Sequence, residues 1–273
     1  MKNLNDAKRI VFKIGTNVLR NDEGEISLSR IYSFIEDIAK LYKQGKEVII
    51  VTSGAVGLGS KKVKISSPDT LAVKQACAAI GQSHLMSIYE DGFEKYGIVT
   101  AQVLLTEEDF THRVKYLNLS TVLNELLKLK TIPVINQNDC VSATELEEEA
   151  HGVYEVSFSD NDKLSALVAS KLDADLLVIL SDIDGLYNGN PKTDSAAKLI
   201  HEVPEINSEI EEMAGGAGTK LGTGGMFTKI QAAKLATENG IAMLIISGKE
   251  IGNLRRALSG EEIGTIFYKT EKD

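Results

Sequence analysis

The sequence predicts an α/β fold with a largely parallel sheet, and three observations carry that expectation. Apolar runs of strand length recur along the chain. Stretches with an amphipathic helical stripe separate almost all of them, and several runs stop abruptly at glycine or at clustered polar residues. In open parallel sheets ligands gather at the carboxyl ends of the strands, so the residues at those stops are the first candidates for function.

Residues 9–14 read as the opening strand, ended by Gly15 and followed by Thr16 and Asn17. Lys13 is the odd member of that strand. An ammonium group in an apolar run must reach water, as a snorkelling edge lysine does, or else an anion. Residues 27–42 set Ile31, Phe34, Ile35, Ile38, Leu41 and Tyr42 on one helical stripe, and Gly45 stops that helix. Residues 47–51 form a second buried strand that runs into Thr52-Ser53-Gly54-Ala55-Val56-Gly57-Leu58-Gly59, a strand, a glycine turn and a helix. The glycines at 54, 57 and 59 depart from the dinucleotide-binding order. Residues 71–82 hold no Asp or Glu for a ribose, and no Lys-Ser/Thr pair follows the glycines as in a Walker loop.

From Pro68-Asp69 an alanine-rich helical stretch extends to about Tyr96, with Gly81 and Gly92 as candidate breaks. A strand over 98–105, an acidic helix start at 106–109 and a helix over 114–129 lead to a strand at 131–135. That strand ends on Asn136, Gln137, Asn138 and Asp139, which are either a solvated turn or substrate contacts. Residues 142–155 are acidic, with Glu145, Glu147, Glu148 and Glu149, and read as a solvated face or as a lid. Asp160, Asn161 and Asp162 precede a helix over 164–172. One of them suffices as a cap, so the others are candidates for a site.

A fourth strand over 175–180 leads to Ser181 and Asp182, and 188–191 is a turn. Residues 198–203 and a short acidic helix then lead into 214–229, where six of sixteen residues are glycine. That stretch enters a helix marked by Ile230, Ala233, Leu235 and Ala236 and ending near Asn239-Gly240. A glycine-rich loop at a helix N-terminus offers N–H groups and a positive dipole end to a phosphate, and Lys229 adds a full charge. The alternative is a mobile surface loop with a solvated lysine. A strand over 241–246, a helix over 251–258 and a strand over 262–268 close the chain.

The 273 residues, 43% of them hydrophobic and 25% charged, describe a folded globular chain with ample material for a core. A net charge of −9 argues against nucleic acid as a partner, so any anionic ligand must be gripped locally. The two cysteines, Cys77 and Cys140, fit neither a metal-ligand spacing nor a disulfide framework; Cys77 reads as core, and Cys140 falls inside a candidate site. The first residues are polar, with no signal peptide, and no apolar run reaches membrane-span length, so no membrane association and a cytoplasmic setting are expected. No repeat, linker or domain boundary is evident, and 1–273 reads as one domain.

Six segments in a single order resemble the amino acid kinase family over nearly the whole chain. They are Phe12-Lys13-Ile14-Gly15-Thr16, Thr52-Ser53-Gly54-Ala55-Val56-Gly57, residues 136–139, Asp160-Asn161-Asp162, Ser181-Asp182 with Gly185-Leu186-Tyr187, and residues 222–229. The resemblance implies a three-layer α/β/α sandwich around a largely parallel central sheet. It implies ATP-dependent phosphorylation of the L-glutamate side-chain carboxylate, at the start of proline synthesis. An N-terminal part of about 1–165 would bind glutamate and a C-terminal part of about 166–273 would bind ATP.

By the same resemblance Lys13 and Lys229 flank the transferring phosphoryl group, and Asp162 holds the two lysines. Ser53, Gly54, Asp139 and Asn161 grip glutamate, with Asp139 suited to its ammonium group. Lys13, Gly15, Ser181, Asp182, Thr223, Gly224, Gly225, Met226, Phe227, Thr228 and Lys229 line the nucleotide, and Gly15 and Gly54 offer N–H groups to phosphate oxygens. Mg2+ rides mainly on the phosphates, with no protein metal site. Proline as feedback inhibitor and a homo-oligomer, dimer or tetramer, are implied as well, in the form without a C-terminal RNA-binding-type (PUA) domain. Rival acceptors within the family are acetylglutamate, carbamate and nucleoside monophosphates, and a rival of another class is a non-catalytic nucleotide sensor. Ser159 stands where the family usually has glycine, Ser181 where threonine is common, and Cys140 where the residue beside the substrate aspartate is small.

Overall fold

The computed structural model describes residues 4–21, 23, 25–142, 161–191, 193–215 and 225–270. The expected acidic stretch with Glu145, Glu147, Glu148 and Glu149, together with Ser159, Asp160, Thr223 and Gly224, lies outside the described residues. In chain order come β1 (Arg9–Ile14), α1 (Leu28–Lys43), β2 (Glu47–Val51), α2 (Ala55–Lys62), α3 (Leu71–Glu94), β3 (Val99–Leu105), α4 (Glu108–Thr111), α5 (Arg113–Lys128) and β4 (Thr131–Gln137). After them come α6 (Asn161–Lys171), β5 (Leu176–Ser181), the two-residue strands β6 (Leu186–Tyr187), β7 (Leu199–Ile200) and β8 (Glu202–Val203), then α7 (Ser208–Met213), α8 (Met226–Glu238), β9 (Ala242–Ser247), α9 (Asn253–Leu258) and β10 (Thr265–Phe267).

By contact the chain forms two compact units, one of Met1–Val51 with Asp162–Asp273, the other of Thr52–Asn161. The first 51 residues thus cluster with the C-terminal half, and the second cut falls within the first turn of α6.

In the first unit the strands run β2-β1-β5-β9-β10-β8. β1 pairs in parallel with β2 and β5, and β5 with β9; β10 is antiparallel to β9 and parallel to β8. Every residue of β5 and all but the first of β1 and β9 are buried, as continuous apolar runs covered on both faces require. Helix α1 packs on β2, and α8 and α9 pack on β9. The stripe Ile31, Phe34, Ile35 and Ile38 is the buried side of α1.

In the second unit β3 and β4 pair in parallel, α3 packs on β3 and α5 on β4. The expected breaks at Gly81 and Gly92 do not occur, and α3 is continuous across both. Gly81 serves a contact instead. A Cβ there would lie 1.8 Å from Ala55 O, and one on Gly59 would lie 1.8 Å from Cys77 O, so α2 and α3 touch backbone to backbone at two glycines. Helix α3 begins with Thr70 as its N-cap, whose hydroxyl accepts from Val73 N–H.

Candidate functional site

β1 is paired on both sides, so Lys13 is no edge lysine; its side chain is buried and its charge must be met inside the protein. The partner is Asp162, with no exposed surface, near the start of α6. Lys13 Nζ lies 2.6 Å from Asp162 Oδ1, and Lys229 Nζ, from the second turn of α8, donates to Asp162 Oδ2 at 3.1 Å. Lys229 also donates to Gly225 O, and Thr228 Oγ1 lies 3.1 Å from Asp162 Oδ2. Burial works to raise the Asp162 pKa, but the two ammonium groups and their hydrogen bonds outweigh it and hold the carboxyl below its usual range. Two buried ammonium groups thus meet at one buried carboxylate, an arrangement suited to a phosphoryl group.

The glycine-rich stretch enters α8 at Gly225, whose φ of +84° a side-chain-bearing residue rarely adopts. The first-turn N–H groups of Met226, Phe227 and Thr228 follow, at the end of a helix that carries partial positive charge. In-register pairing of β1 with β5 puts the loop after Ile14 beside Ser181 and Asp182. There Asn17 Nδ2 donates to Asp182 Oδ2 at 3.1 Å and Ser181 Oγ to Asp182 Oδ1 at 3.3 Å. Burial tends to raise the Asp182 carboxyl, yet the Asn17 amide, its own backbone N–H, Lys249 and Ser181 together keep it low. One expectation is corrected: the Gly15 N–H donates to Leu180 O (3.1 Å) and is not free for a phosphate, because the parallel pairing runs one residue past β1. A Cβ at Gly15 would lie 3.4 Å from Leu180 O and 3.8 Å from Lys13 Nζ, ordinary van der Waals distances, so the position is set against the Lys13 ammonium without being sterically closed.

The second unit gathers the other candidates. Ser53 and Gly54 stand before α2, with Gly54 left-handed (φ +100°) at its N-cap, and Asp139 follows β4. Asn161 Nδ2 donates to Thr52 O at 2.6 Å and to Asn136 Oδ1 at 3.0 Å, which ties the loops before α2 and at the end of β4 to the start of α6. Asp139 is pushed up to about 6 by burial. Burial, and then the Asp139 charge, raise the neighbouring Cys140 thiol, so Cys140 is no thiolate nucleophile at neutral pH.

Two polar residues of these clusters, Asn17 and Gln82, are not singled out by the sequence, and a third, Asn136, lies deeper than its polar run suggests. Asn17 stands two residues past a glycine stop, a place where ligand loops occur, and that position was its only signal. Asn136 was read as part of a polar run, yet it is fully buried at the end of β4. Gln82 is the lone polar member of the buried α3 stripe Ala78, Gln82, Leu85 and Tyr89, and a helical-wheel reading would have exposed it.

Residues 8–247 match the amino acid kinase family. The chain is 49% identical over 260 residues to a glutamate 5-kinase of Caldanaerobacter subterraneus, covering 95% of this chain and 67% of that protein. It is 44% identical to a glutamate 5-kinase of Clostridium acetobutylicum, covering 99% and 98% of the two. Among solved structures, a carbamate kinase from Giardia lamblia bound to AMP-PNP superposes with a TM-score of 0.66 at 17% identity, covering 97% of this chain and 99% of that one. A UMP kinase from Bacillus anthracis gives a TM-score of 0.60 at 15% identity, covering 97% of each.

Proposed function

The chain belongs to the amino acid kinase family, and from that premise we infer that its activity is that of a glutamate 5-kinase. It transfers the γ-phosphoryl group of ATP to the side-chain carboxylate of L-glutamate, giving L-glutamyl 5-phosphate, the first step of proline biosynthesis. The observation that carries the site assignment is the sharing of Asp162 by Lys13 and Lys229, which brings two ammonium groups from distant parts of the sequence to one buried point.

A glutamate carboxylate oxygen attacks the γ-phosphorus. The bond to the β,γ-bridging oxygen breaks, and ADP leaves with that electron pair. The nucleophile is already ionised at neutral pH, so no general base is needed and no proton moves. What the protein supplies is position and charge. Lys13 and Lys229 stabilise the negative charge on the phosphoryl oxygens, Asp162 keeps the two cations from repelling one another, and the first turn of α8 accepts the polyphosphate. Mg2+ bound with the nucleotide would supply neutralisation of phosphate charge. Both Asp162 oxygens are taken by the lysines, so the phosphates, and not this carboxylate, would hold the ion. In this reading the unit of Thr52–Asn161 takes glutamate through Ser53, Gly54, Asp139 and Asn161, and the other unit takes ATP, with Ser181 and Asp182 beside the nucleotide. A homo-oligomer, inhibition by proline and a cytoplasmic setting belong to the same proposal and rest on likeness to relatives.

The test is ADP release from Mg-ATP with a panel of acceptors: glutamate, N-acetylglutamate, carbamate and UMP. Glutamate alone should stimulate turnover, and hydroxylamine should trap its acyl phosphate as the hydroxamate. Stimulation by a different acceptor, with none by glutamate, overturns the reading.

A further inference from the structure

The amide of Gln82 has no place in the phosphoryl-transfer chemistry and is nonetheless buried in the unit that holds the glutamate candidates. Two backbone groups fix the polarity of the chain of amides it belongs to. Thr52 O accepts from Asn161 at 2.6 Å, so that atom of Asn161 is Nδ2; Gln137 N–H donates to Asn136 at 2.9 Å, so that atom of Asn136 is Oδ1. Asn136 Oδ1 accepts the other Asn161 Nδ2 proton at 3.0 Å, and Asn136 Nδ2 then faces Gln82, whose Oε1 accepts it at 2.8 Å. No member can flip without setting donor against donor.

Two consequences follow. Both Asn161 Nδ2 protons are spent, so the group Asn161 presents is its carbonyl oxygen, an acceptor. The Gln82 end terminates the chain with a buried Nε2 that has no hydrogen-bond partner among the described residues. A buried donor left unmade is destabilising, and a leucine of similar size in this apolar stripe would carry no such group. Folding therefore gives no reason for an amide here, whereas holding Asn136 does.

We propose that Gln82 is a positioning residue for amino-acid recognition: through Asn136 it locks Asn161 so that its carbonyl oxygen, and not its amide nitrogen, is the group left to bind, which selects an ammonium group over an acceptor. The proposal rests on the glutamate reading above and deepens it. Asp139, an acceptor when ionised, has the same preference.

The test compares Gln82→Leu, Gln82→Met and Gln82→Glu with the wild-type chain. Leucine or methionine trades one buried orphan donor, Gln82 Nε2, for another, Asn136 Nδ2, so the melting temperature should move little. The glutamate KM should rise about tenfold, the worth of one orienting hydrogen bond, while the ATP KM and kcat change less than about threefold. Glutamate restores an acceptor for Asn136 Nδ2, and Gln82→Glu should return the glutamate KM to near wild type. If Gln82→Leu fails to fold, Gln82→Met gives the same readout. An unchanged glutamate KM in the apolar variants overturns the proposal. So does a parallel rise of both KM values, or a Gln82→Glu variant as impaired as Gln82→Leu. A wild-type chain with no glutamate-dependent turnover would instead overturn the glutamate reading, and this assignment with it.

Discussion

Burial of Asp139 moves its carboxyl from an ordinary 3.8 up to about 6. A carboxylate in that position is costly for the unliganded protein and relieved by a bound ammonium, a trade of stability for function at one residue. The sign follows from the raised value: its contribution to stability is full below 3.8 and lost as pH rises through about 6. Asp139→Asn should therefore raise the melting temperature of the unliganded chain at pH 8 while increasing the glutamate KM tenfold or more. In the wild type the glutamate KM should climb as pH falls below about 6. A melting temperature unchanged by Asp139→Asn at pH 8, or a flat KM profile, would remove this account. The lysines behave differently. Lys13→Ala or Lys229→Ala still leaves Asp162 a buried cation. Each should lower kcat by about a thousandfold or more at a modest cost to thermal stability, which rate and unfolding measurements read separately.

Among the elements, α6 carries the charge that makes this tolerable. Asp162→Ala leaves two ammonium groups buried with no anion between them and should cost about 3–5 kcal/mol in chemical denaturation, far more than either lysine substitution. The depressed Asp162 carboxyl stabilises the fold above 3.8, and that contribution disappears as pH falls below it through the folded-state value. The helix pair α2 and α3 makes the second element-scale case. Gly59→Ala or Gly81→Ala puts a methyl group 1.8 Å from a backbone carbonyl oxygen, which no rotamer change can relieve. Either variant should lower the melting temperature by several degrees and, because Ser53 and Gly54 lead into α2, raise the glutamate KM more than that for ATP. Wild-type thermal stability in both variants would show that the helices separate without cost.

At the scale of the whole molecule, ligand footprints should divide between the two units. In hydrogen exchange, glutamate alone should protect amides around residues 53–54 and 136–139, and a non-hydrolysable ATP analogue those around 13–17, 181–182 and 225–229. Protection by glutamate confined to the second set would reassign the units. Strands and helices were legible in the sequence because their periodicity is local: the 9–14, 47–51 and 175–180 runs, the stripe of α1 and the start of α8 all lie where burial patterns place them. Local pattern misread Gly81 as a break, since what requires a glycine there is Ala55 on another helix. The family resemblance gave the Gly15 N–H to a ligand, when a neighbouring strand takes it. The chain by itself thus determined the strand and helix order, the polar stops and the identity of the two lysines. Only the tertiary structure decided that Lys13 and Lys229 share one carboxylate, that 1–51 cluster with 162–273, and that a glutamine in an alanine-rich helix terminates a buried chain of amides. The physical reason is that charge pairing, desolvation and backbone contact depend on distance in space, which residues far apart in sequence acquire only when the strands pair and the helices pack.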